Sequence, residues 1–138
     1  MNELIEKEDD EKEHRIYRPL EKAEKKEAEQ ILSDGTYIEL VLLPLRIGEY
    51  CDNWKEAQDI CLKLMENENA AVRANAALGL SYIARTHEKL EKRVVKPYLL
   101  RELKENEEYR WRIIDSIKDI NLFMGWNIAE KALKRYSE

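Results

Sequence analysis

Ser81, His87 and Asp119 are the residue types of a nucleophilic triad, in which an imidazole takes a hydroxyl proton and a carboxylate orients the imidazole. The setting does not suit that chemistry. Ser81 lies in a run of small residues with no Gly-rich nucleophile turn before it, so packing is the competing role. His87 follows Arg85 at the end of the same run. The two could form an anion-binding corner, or His87 could cap the last carbonyls of a helix, where a cation also meets the favourable end of the dipole. The only other imidazole, His14, sits in a charged start. With no His/Cys/Asp cluster at ligand spacing, neither a metal site nor a cofactor is expected. Phosphate-cradling loops such as G-x-G-x-x-G are also missing. The sequence therefore points to a non-catalytic chain.

Binding chemistry is better represented. Trp111 stands between Arg110 and Arg112, off the stripe of Ile113, Ile117 and Ile120, and is the best candidate for an exposed aromatic anchor. Trp54 reads as core and Trp126 as the seal of the C-terminal end. Asp115 and Asp119, four apart, share a helix face, with Arg112 at i−3 from Asp115. That face is either a solvated ion-paired surface or a mixed-charge patch for a partner. Tyr82, Arg85, His87, Tyr109, Trp111, Arg112, Asp115 and Asp119 are the expected partner-binding set.

The elements that must position these groups are helices. The chain has 138 residues, of which 43% are hydrophobic and 38% charged, with only three Pro and four Gly, too few for the many turns of an all-β fold. Its length suits one domain over residues 16–138, after a charged and mobile 1–15 segment. The net charge is −5, and residues 1–35 hold 12 acidic and 7 basic side chains, so the remainder is neutral. That balance argues against direct nucleic-acid binding, which normally requires a basic surplus. An acidic start without an apolar run is not a signal peptide, and no stretch is apolar enough to span a membrane. Cys51 and Cys61 read as reduced thiols of a cytoplasmic chain.

A first helix is expected from near Pro19 to Leu32, closed by Gly35 in a left-handed cap. The next, 36–51, is apolar on most sides and should be central, kinked at Pro44. Helices over 54–66 and 70–86 flank a polar turn at 66–69. A fifth, from near Glu88 or Leu90 to Leu103, should bury Leu90, Val94, Val95, Leu99 and Leu103. A sixth runs to Met124 and ends at Gly125, and a seventh, 126–136, covers the end. Helix pairs thus recur about every 35 residues, the pattern of a short α-solenoid of about three antiparallel pairs.

The segment NENAAVRANAALGLSYIAR, with Val72-Arg73 followed by Ala76, Ala77, Leu80 and Ile83, resembles a HEAT repeat, although Asn67, Glu68 and Asn69 stand where that family often has Asp and Pro. Over residues 36 to about 124 the chain looks like small bacterial HEAT-repeat proteins found beside polymorphic toxin genes. The matching positions are Trp54, Gln58, Cys61-Leu62, Val72-Arg73, Ile83-Ala84-Arg85 with His87, and Asp119-Ile120; Asn53 and Ser81-Tyr82 depart from the pattern. The resemblance implies a HEAT-like fold whose second helices line a groove, here with Tyr82, Arg85, Arg112, Asp115 and Asp119. It also implies an immunity protein that occludes the active site of a toxin, and the acidic character suits a basic nuclease-type toxin domain. Two further readings are a HEAT-repeat assembly adaptor and a HEAT-type DNA glycosylase; the latter requires a basic groove.

Overall fold

The computed structural model describes residues 20–137, which form seven helices and, among the described residues, no strand. The helices are α1 (Lys25–Asp34), α2 (Tyr37–Tyr50), α3 (Trp54–Leu64), α4 (Ala70–His87), α5 (Lys92–Glu105), α6 (Arg110–Met124) and α7 (Glu130–Ser137). The expected 1–15 segment, with His14, lies outside the described residues.

Local sequence sets three of the starts. Thr36 and Glu39 form a reciprocal capping box on α2, Asn53 Oδ1 accepts from the Lys55 and Glu56 N–H groups, and Asn69 Oδ1 accepts from those of Ala71 and Val72. Arg73 closes the turn between α3 and α4 by donating to the Asn67 and Glu68 carbonyls, both at 2.9 Å. Its Nε reaches the buried carboxylate of Glu102 on α5, also at 2.9 Å.

α4 lies at the centre. It packs most extensively against α2 and α6, and also against α3 and, less closely, α5. Buried residues span nearly its whole circumference, Ala71, Val72, Ala74, Ala76, Ala77, Leu80, Ile83 and Ala84 among them. The α2–α4 approach is close enough that glycine is required. A methyl group on Gly79 would sit 2.6 Å from the Pro44 carbonyl oxygen, and one on Gly48 would sit 2.6 Å from the Gly79 carbonyl oxygen. Hydrogen bonds between neighbouring pairs recur at similar separations. Gln58 and Glu91 are 33 residues apart, Val41 and Asn75 are 34, Cys51 and His87 are 36, and Asn75 and Arg112 are 37.

Several expected boundaries move. α1 begins at Lys25, not near Pro19. The segment before it is not helical and is tied to α2 by Arg46, which donates to the Glu21 carbonyl at 2.8 Å and the Lys22 carbonyl at 3.3 Å. Gly35 is not left-handed (φ −71°, ψ 158°); it is glycine because a Cβ there would meet Ile31 O at 2.6 Å. α5 starts at Lys92 because Glu88 takes the left-handed cap of α4 (φ 53°) and the Glu91 N–H is bonded to Gln58 Oε1 at 2.7 Å. With that start, Val95, Leu99 and Leu103 face the core and Val94 is 40% exposed, contrary to the expected burial. α7 starts at Glu130, not Trp126. Asn121 clamps the preceding turn through both the N–H and the carbonyl of Ile128, whose side chain is buried, and Trp126 packs half-buried against the core. Trp54 is half-buried against the core rather than within it.

α2 itself is the larger correction. It touches α1, α3 and α4, but one side stays open to solvent. Leu43 and Ile47 are buried, whereas Tyr37, Ile38 and Leu42 are exposed.

Candidate protein-interaction face

Helix α4 packs most extensively against α2 and α6, and α3 and α5 also touch it. Residues spaced i, i+4 and i+7 lie on one helix face. At that spacing, exposed or half-buried, α2 has Ile38, Leu42 and Leu45, α4 has Leu78, Tyr82 and Arg85, and α6 has Trp111, Asp115, Lys118 and Leu122.

Tyr82 and Arg85 are brought together. The guanidinium lies 4.7 Å from the centre of the Tyr82 ring and its charge is answered by Glu49 of α2, at 2.6 and 3.1 Å. This stack and ion pair tie the α4 strip to the α2 strip. Trp111 is 57% exposed, as expected of an anchor, and the Arg112 guanidinium lies 4.9 Å from its ring centre. Arg112 also donates to Asn75 Oδ1 on α4, so the expected i, i+3 pairing with Asp115 does not form. Asp115 and Asp119 are exposed and, among the described residues, belong to no ion pair. Tyr109 is half-buried against the core at the start of α6, its N–H held by Asn106 Oδ1 at 3.2 Å, which gives it a structural part.

His87 is fixed by a contact of 3.0 Å between its Nε2 and the Cys51 carbonyl, so the ring ties the end of α4 to the end of α2. That acceptor places the proton on Nε2. Ser81 is buried and donates to the Leu78 carbonyl of its own helix at 2.6 Å. Ser81 and His87 therefore have partners other than each other, and no triad is assembled. Among the described residues no three His, Cys, Asp or Glu side chains gather as a metal site, and no helix is long and apolar enough to cross a membrane. Cys51 and Cys61 are both free thiols, and burial raises the pKa of each.

Five residues lie outside the expected partner-binding set. Ile38 and Leu42 belong to the apolar run expected to be central, and Tyr37 precedes it; one side of that helix stays open, which leaves all three exposed. Leu122, 73% exposed, continues the Trp111 face of α6 by the i+11 spacing. Asn75 is only 3% exposed, and its signal was a lone amide in an Ala-rich helix. Compared with family models, curated proteins and solved structures, the chain matches none.

Proposed function

We propose that this chain is a short HEAT-like α-solenoid acting as a non-catalytic protein-binding module, and that it neutralises a bacterial toxin by covering its active site. The observation that supports the binding function is the set of large apolar side chains left in solvent on α2 and α6, the two helices that pack most extensively against α4: Ile38, Leu42, Trp111 and Leu122. Soluble surfaces seldom keep such a set without a partner. The 33- to 37-residue separation of the cross-pair contacts supports the solenoid. The toxin as partner rests on the resemblance to small HEAT-repeat proteins encoded beside toxin genes. Asp115 and Asp119, exposed beside Trp111, would meet cationic groups of a nuclease-type active site.

The test is co-expression with the product of the neighbouring gene, read as relief of any growth arrest that product causes and as a purified complex. Single Ile38→Ala, Tyr82→Ala and Trp111→Ala variants should each fold normally, and the aromatic changes should weaken the complex by tenfold or more. Growth arrest that the wild-type chain fails to relieve, with no complex formed, rejects the toxin partner. A complex with a non-toxic protein through the same residues would make the chain an assembly adaptor.

A further inference from the structure

Helix α5 carries a second surface, distinct from the exposed residues of α2, α4 and α6. Lys89, Lys92, Arg93 and Lys96 are all exposed, and none belongs to an ion pair among the described residues. Three of them, Lys92, Arg93 and Lys96, line a shallow recess with Glu91, Val94 and Pro97. The one carboxylate at its edge, Glu91, is engaged by Gln58 at 2.7 Å and Lys55 at 3.2 Å.

These cations stand where helix energetics disfavours them. Lys92 and Arg93 occupy the first turn of α5, which holds no acidic residue, so they oppose the positive end of the helix dipole. Lys92 and Lys96 are like charges at i, i+4, and Arg93 and Lys96 are like charges at i, i+3. Apolar groups are interleaved with the cations, Val94 at 40% and Leu100 at 37% exposure, with Pro97 also exposed.

We infer that this face docks an acidic protein segment, carboxylates meeting Lys92, Arg93 and Lys96 and apolar side chains meeting Val94, Pro97 and Leu100. A segment of mixed acidic and apolar character fits better than a nucleic acid. A nucleic acid would need exposed rings for base stacking, and the nearby aromatic, Trp126, is half-buried with the Lys92 ammonium 5.7 Å from its ring centre, whereas Val94, Pro97 and Leu100 offer apolar contacts.

The experiment measures fluorescence anisotropy of a labelled 16-residue peptide of Glu, Asp and Leu against the full chain, beside a dT20 oligonucleotide and phosphatidylserine vesicles. Expected are peptide binding at least tenfold tighter than either alternative, and at least a tenfold loss between low and moderate salt. Lys92→Glu/Arg93→Glu should abolish peptide binding while raising Tm by about 2–4 °C, because the new carboxylates agree with the dipole and pair with Lys96. Lys26→Glu/Lys63→Glu, the same charge change elsewhere, should leave peptide binding within twofold. No peptide binding, equal or tighter binding to DNA or vesicles, or binding that survives in the α5 double variant would each overturn the inference.

Discussion

The guanidinium of Arg112 donates to the side-chain oxygen of Asn75, while the nitrogen of the same amide donates to the Val41 carbonyl at 2.8 Å. One buried side chain on α4 thus joins α2 to α6, the helices that carry the exposed apolar set. Both ends of the amide are satisfied, which is the condition for a buried polar group to stabilise rather than cost.

Asn75→Leu should lower stability by about 2–3 kcal/mol, because it leaves the Val41 carbonyl and one Arg112 donor without their partner. Arg112→Met should cost less, as Asn75 keeps its bond to Val41. Urea unfolding of both singles and the double should give a coupling of about 1 kcal/mol or more. Strict additivity would mean that the contact contributes nothing.

Gly79→Ala should destabilise by about 1–3 kcal/mol, since its methyl group meets the Pro44 carbonyl at 2.6 Å and Cys61 Sγ at 2.9 Å, and a backbone oxygen cannot swing aside. Gly48→Ala meets the same seam from the other helix. The double variant should cost less than the two singles together, because one separation of α2 from α4 relieves both clashes.

Burial pushes the Cys61 thiol far above the ordinary thiol range, and Cys51, half-exposed, is raised less far by the same cause. Only the thiolate reacts. A thiol-disulfide reagent at neutral pH should therefore modify Cys51 slowly in the native protein, and Cys61 only as fast as the chain unfolds. Two equally fast thiols would contradict this packing.

Glu91 has its pKa lowered from an ordinary value of 4.5, first by the Gln58 amide and then by Lys55. A carboxyl with a depressed folded pKa contributes stability that is present above its unfolded value and is lost as pH falls through the folded one. Between pH 6 and pH 3 the wild type should therefore lose more stability than Glu91→Gln. Parallel pH profiles would show that the Gln58–Glu91–Lys55 contacts add nothing to folding.

The helices themselves were legible because periodicity and capping are local. Asn53, Gly125 and the polar turn at 66–69 act within a few residues of chain, and their positions agree with the structure. Trp111 could be picked out by its offset from the Ile113, Ile117 and Ile120 stripe. Where a boundary was set by a distant partner, local reasoning missed it: Arg46 takes the carbonyls of residues 21 and 22, and Gln58 takes the Glu91 N–H ahead of α5.

By itself, the sequence determined an all-helical fold over the described residues, its central Ala-rich helix and several of its caps, since each follows from residue type and spacing. Tertiary structure decided which apolar side chains stay in solvent. Ile38 and Val94 are as hydrophobic as the buried Ile47 and Val95, and only the placement of neighbouring helices separates them. It also decided that Arg112 spends its charge on Asn75 and Arg85 on Glu49, whereas Asp115 and Asp119 remain exposed. Those pairings join residues 36 and 37 positions apart, which no local pattern specifies.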